Sequence, residues 1–105
     1  MAKRRNRRPH ALELQALNGL SSPLTFHPLA WEQYLYWQRT DKAMLRKLNS
    51  LIEDCLRHPF EGIGKPELLR GDLSGFWSRR IDREHRLVYR ATATALEIVQ
   101  CRYHY

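Results

Sequence analysis

Cysteine is scarce: the 105 residues hold two, Cys55 and Cys101, far apart and each inside an apolar run. That spacing forms neither a CxxC redox pair nor a zinc set, and it predicts buried free thiols in a reducing compartment. No apolar stretch approaches the roughly twenty residues of a membrane span, and no hydrophobic segment follows the basic start as a secretory signal would require. The expected location is the cytoplasm, without membrane contact. Phosphate-loop and nucleophile motifs are missing too. There is no GxxxxGK[ST], GxGxxG or GxSxG, and Gly62-Ile63-Gly64-Lys65 is too short for a P-loop. The five histidines lack i,i+4 or Cys-linked spacing, so neither a metal nor another cofactor is expected.

Acidic residues also run short, with 11 Asp and Glu against 18 Lys and Arg, for a net charge of +7. Residues 1–25 carry five cations against one anion, residues 26–64 five against five, and residues 65–105 eight against five. A basic balance at the two ends suits a polyanion, nucleic acid first, because each neutralised phosphate releases counterions; solubility is the plainer reading. The length suits one small domain, and 43% apolar residues suffice for a modest single core. Residues 1–22 open with five cations in six positions (KRRNRR), which repel one another and resist burial, so they read as a disordered extension in which Ala11–Leu20 could form a short helix. The domain proper is 23–105.

Within it, Leu24–Phe26 reads as a strand, and Pro28 opens a helix over Leu29–Arg39 with Trp31, Tyr34 and Leu35 on one face and Tyr36 and Trp37 pointing elsewhere. Thr40-Asp41 marks a break and a new cap. Lys42–Arg57 is the clearest helix, with Leu45, Leu48, Ile52, Cys55 and Leu56 at intervals of three and four. Pro59–Pro66 must be a loop, from which Phe60 is expected to plug the core. Strands follow at Glu67–Arg70, Leu73–Ile81, His85–Ala91 and Ala95–Tyr103, separated by Gly71-Asp72, Asp82-Arg83-Glu84 and Thr92-Ala93-Thr94. A three-residue hairpin at Asp82–Glu84 sets Trp77 opposite Tyr89, Ser78 opposite Val88, and Arg80 opposite Arg86. Facing arginines repel, so either an anion belongs between them or they splay into solvent. The expected fold is α/β (α+β): two N-terminal helices on one face of a small, mostly antiparallel sheet.

The groups that remain suit cleavage of RNA through the ribose 2′-OH. That reaction needs a base for the 2′ proton, a cation for the phosphoryl oxygens and an acid for the departing 5′ oxygen. Glu67, Arg86 and His104 are candidates, although composition alone does not single them out.

From Phe26 to the last residue the chain resembles the YoeB (Txe) family of bacterial toxins, within the wider RelE group. The resemblance is carried by YLYWQ (Tyr34–Gln38), PFEGIGKPE (Pro59–Glu67), LSGFWSRRI (Leu73–Ile81), EHRLVY (Glu84–Tyr89) and CRYHY (Cys101–Tyr105), in that order. It implies a RelE-like fold and the toxin of a type II toxin–antitoxin pair, which enters the ribosomal A site, cuts mRNA and is held inactive by a YefM-like antitoxin. It assigns Glu67, after KP, as general base, Arg86 as phosphate stabiliser, His104 as general acid and Tyr105 as an orienting group. Lys65, Arg70 and Arg80 would then contact the RNA backbone. A homodimer is compatible with it, and operator DNA would be touched only in complex with the antitoxin. The rivals are a non-catalytic ribosome or RNA binder that blocks translation by occupancy, and a DNA-binding co-repressor. Three departures stand out: the basic extension, Leu69 where proline is frequent, and His27 where a serine cap is usual. None removes a catalytic group.

Overall fold

The structure is a computed structural model, and it describes residues 23–104. Two helices pack on one side of a five-stranded sheet. The elements are β1 (Leu24–Phe26), α1 (Pro28–Thr40), α2 (Lys42–Arg57), β2 (Glu67–Leu68), β3 (Trp77–Arg80), β4 (Arg86–Ala91) and β5 (Leu96–Gln100). In space the strands run β1-β5-β4-β3-β2; β1 lies parallel to β5 and the other pairs are antiparallel.

Helix α1 starts where Pro28 pre-sets the first turn, and His27 supplies no side-chain cap; its ring reaches Glu97 at 3.3 Å instead. Asp41 both ends α1 and caps α2, accepting the Met44 N–H at 3.1 Å. The apolar stripe of α2 buries Met44, Leu48, Leu51, Ile52, Cys55 and Leu56 against Leu87, Tyr89, Leu96 and Ile98 of the sheet. Both cysteines are free and buried, and burial pushes the Cys55 thiol up to about 11 and the Cys101 thiol to about 12.

Four local expectations need correction. The inward face of α1 is Ala30, Gln33 and Trp37, while Trp31 is 45% exposed and stacks on Tyr34 at the surface. Trp37 goes inward because its indole N–H has a buried acceptor, the Cys101 carbonyl, at 2.8 Å. Phe60 does not enter the core: it is 56% exposed and leans on Trp77. The strand expected from Leu73 begins only at Trp77, because Gly71 and Gly75 take positive φ and Gly71–Leu73 forms a 3-10 turn. At the end of the chain, β5 stops at Gln100 and carries a bulge. Tyr89 pairs with Ile98 and Val88 with Gln100, so Val99 is the extra residue. The bulge lets Ile98 and Cys101 both face the helices.

Candidate functional site

The site is built around a cation that the sequence does not advertise. Arg79 on β3 shares a face with Trp77, points to the helix side, and has 0% exposure. Its five N–H groups are all engaged. Nε donates to the Tyr89 hydroxyl (3.0 Å), Nη1 to the Asp54 carboxylate and the Ile63 carbonyl, and Nη2 to the carbonyls of His58 and Glu61. Tyr89 in turn donates to the Pro59 carbonyl at 2.7 Å. One guanidinium therefore folds the irregular segment between α2 and β2 around itself, satisfying carbonyls that no strand or helix could. The hydrogen bond from Arg79 holds the Asp54 carboxyl below the usual carboxylate range, whereas burial pushes the Tyr89 phenol well above its ordinary value. Gly62 is needed at φ +118°, since a Cβ there would lie 2.0 Å from Asp54 Oδ2.

That loop delivers Lys65, Pro66 and Glu67 to the sheet. Glu67 pairs with Ser78, Ser78 with Val88, and Arg80 with Arg86, in the register expected of the hairpin. Leu87 and Tyr89 face the helices, so Arg86 and Val88 face the other way, together with Ser78 and Glu67. Arg86 Nη1 lies 3.9 Å from Glu67 Oε1 and donates to Ser78 Oγ at 3.4 Å. The Arg86 side chain is 12% exposed and that of Glu67 60%. Arg80, Lys65 and Arg70 are exposed; Lys65 holds φ +54°, and the Arg80 N–H is bonded to the Gly64 carbonyl at 2.8 Å. The facing arginines thus divide, with Arg86 turned to Glu67 and Ser78 and Arg80 in solvent.

The C-terminal peptide is pinned from two sides. Cys101 is held by the Gln33 side chain, which accepts its N–H at 2.8 Å, and by the Trp37 indole. The Arg86 N–H donates to the Tyr103 carbonyl at 3.0 Å, so the peptide unit entering His104 is tied to the backbone of the arginine itself. The Arg102 guanidinium lies 3.5 Å from the centre of the Tyr36 ring. His104 is exposed, and Tyr105 lies outside the described residues, as do residues 1–22 with the short helix expected there. Among the described residues, no three His, Cys, Asp or Glu side chains are grouped as a metal would need. Nor is any helix there long and apolar enough to cross a membrane.

Residues 26–105 match the family described as YoeB-like toxin of bacterial type II toxin-antitoxin system. The chain belongs to the YoeB toxin family. Toxin YoeB of Escherichia coli strain K12 is 62% identical over 76 residues, covering 72% of this chain and 90% of that protein. Among solved structures, a YoeB dimer from Staphylococcus aureus is 46% identical and superposes with a TM-score of 0.76 over 81% of this chain and 99% of that one. The YoeB-YefM complex from the same organism gives 0.74 at 46% identity, covering 80% and 98%. The blocks that carried the resemblance now have physical jobs in this YoeB-family chain. PFEGIGKPE is the loop wrapped on Arg79, SRR supplies the buried and the exposed arginine, and EHRLVY is β4 with its turn. What the sequence reading missed were Arg79 and His85. The signal for Arg79 was its place between Trp77 and Ile81 on the apolar face; His85 had none beyond its position beside Arg86.

Proposed function

We propose that this YoeB-family toxin is a ribosome-dependent mRNA endoribonuclease that cleaves by in-line attack of the ribose 2′-OH. Glu67 takes the 2′ proton, the 2′ oxygen bonds to phosphorus, and the bond to the 5′ oxygen breaks as His104 protonates that oxygen. The products are a 2′,3′-cyclic phosphate and a 5′-hydroxyl; a 3′-phosphate follows when water then adds to phosphorus and the P–O2′ bond breaks. Arg86 presents its planar fork to the phosphoryl oxygens as charge builds on them, and Tyr105 orients the substrate. No metal is required for these steps.

The observation that carries this reading is the meeting of Glu67 and Arg86 at 3.9 Å on the sheet face away from the helices, with the peptide entering His104 bonded to Arg86. A pair so long and so exposed on its carboxylate side is weak enough for a phosphate to displace. Lys65, Arg70 and Arg80 are exposed cations, of the kind suited to backbone phosphates, which position a message without reading its bases. A YefM-like antitoxin is the expected partner, as the Staphylococcus complex suggests, and the dimer from that organism supports a homodimer. Operator DNA would be bound only with the antitoxin. The folded domain is residues 23–105, acting in the cytoplasm, and residues 1–22 are an extension.

Expression without antitoxin, native beside Arg86→Ala, with message integrity followed by primer extension, tests the reading. Discrete cuts inside codons are expected for the native protein, with loss on the order of a hundredfold or more in the variant. Arrested translation on uncut message would instead indicate a binder that blocks by occupancy.

A further inference from the structure

His85 stands immediately before Arg86 at the exit of the β3–β4 turn, and its side chain does something that the turn does not need. The turn is closed by backbone and by Asp82: the Ile81 N–H donates to the His85 carbonyl at 3.0 Å, and Asp82 Oδ1 accepts the N–H groups of Glu84 and His85 at 2.8 and 2.7 Å. The imidazole reaches instead to the other end of the chain, where its Nδ1 is 2.7 Å from the backbone nitrogen of Tyr103. A backbone N–H can only donate, so Nδ1 carries no proton there and the ring is the Nε2–H tautomer. The ring is steadied by an edge contact with Trp37, centroids 4.8 Å apart, and it lies 6.1 Å from the Tyr103 ring.

Tyr103 needs such a tether. It holds φ +69°, a left-handed conformation that an L-residue keeps only where its surroundings enforce it. Its N–H goes to His85 and its carbonyl to the Arg86 N–H, so two consecutive residues of the hairpin clamp both sides of the kinked residue. The next residue is His104.

We infer that His85 is a positioning residue for His104: its Nδ1 lone pair, by accepting the Tyr103 N–H, fixes the kinked C-terminal peptide so that the imidazole of His104 is presented beside Arg86. This rests on the proposed role of His104 as the acid. His85 itself touches neither substrate nor reacting atoms. It acts on the geometry of the proton donor, so its removal should lower kcat and leave KM unchanged.

Three substitutions separate the lone pair from the ring. Asparagine sets its Oδ1 where Nδ1 lies and keeps the acceptor; phenylalanine keeps an aromatic ring against Trp37 without an acceptor; glutamine carries its oxygen one methylene too far. Hydrogen exchange at the Tyr103 amide, followed by NMR, should show protection in native protein and His85→Asn and its loss in His85→Phe and His85→Gln. On ribosomes programmed with a defined message, kcat should fall roughly tenfold to a hundredfold in the Phe and Gln variants and stay within about threefold in Asn. Thermal melts identify which variants keep the native transition; if Phe fails to fold, Asn against Gln still tests the acceptor. A protected Tyr103 amide or native kcat in an acceptor-less variant overturns the inference, as does an Asn variant as slow as Gln. His104→Gln in the same assay tells the two claims apart. If it cuts at the native rate, the acid assignment fails. If it is inactive while His85→Phe and His85→Gln cut at the native rate, only the positioning role fails.

Discussion

Arg79 carries the structure in the way a metal does in smaller domains, by gathering ligands from segments that could not otherwise be buried. A buried guanidinium is costly to place in the interior, and it persists here because five donors meet five acceptors. Burial works against its charge, and the hydrogen bonds to Tyr89 and Asp54 outweigh that, so it is held more firmly protonated than usual. Removing it leaves the Asp54 carboxylate with the Ile63 N–H but no cation, and unpairs the carbonyls of His58, Glu61 and Ile63 from the guanidinium. Arg79→Met is therefore expected to lower stability by about 3–5 kcal/mol, read from urea unfolding. Arg79→Lys should do little better, because an ammonium cannot span the same fork. Asp54 adds a pH signature. Its folded-state pKa is lowered, so the stabilisation is fully present above the ordinary carboxylate value and is lost as pH falls through the folded one. Urea midpoints followed from about pH 5 down to about pH 2 should fall more steeply for native protein than for Asp54→Asn. Equal slopes would mean that the pair does not contribute.

Among the elements, the loop from Pro59 to Pro66 and the β3–β4 hairpin decide where the candidate site residues go. The hairpin register was legible because side-chain alternation and a polar turn fix it together. The loop was legible only as a loop. Its glycines mark a wrap around a side chain on β3, which local composition cannot show. Two substitutions distinguish the causes. Gly62→Ala meets both a positive φ and the Asp54 carboxylate, and is expected to cost about 2 kcal/mol or more. Gly75→Ala, at φ +91° with nothing within 4 Å, should cost about 1 kcal/mol from the backbone alone. Thermal melts of the pair give the difference directly. The bulge at Val99 and the inward turn of Trp37 were hidden for a related reason. Each depends on a partner across the fold, Val88 and Tyr89 for the first and the Cys101 carbonyl for the second. Helical spacing alone favoured Trp31, which the structure leaves on the surface.

At the scale of the molecule, the sheet divides the work. Its helix side takes the apolar stripe of α2, both cysteines and Arg79; the opposite side presents Glu67, Ser78 and Arg86, with the C-terminal peptide tied to the rim. Fold class, both helices and the Glu67, Arg86 and His104 candidates could be named from sequence, the last three only through the family resemblance. That resemblance also implies that Glu67 and Arg86 meet; how they meet was not legible, because their separation along the chain is closed by β2–β3–β4 pairing and by the loop wrapped on Arg79. If residues 23–105 are the domain, deleting residues 1–22 should leave the melting transition and growth arrest unchanged; a lowered midpoint would make the extension part of the fold. The chemistry itself is tested most directly on a message whose scissile 5′ oxygen is replaced by sulfur, a leaving group that departs without a proton. On that substrate, cleavage by His104→Gln is expected to recover to within about tenfold of the native rate while Arg86→Ala stays slow. A His104→Gln protein equally slow on sulfur and oxygen substrates would contradict the assignment of His104 as the acid.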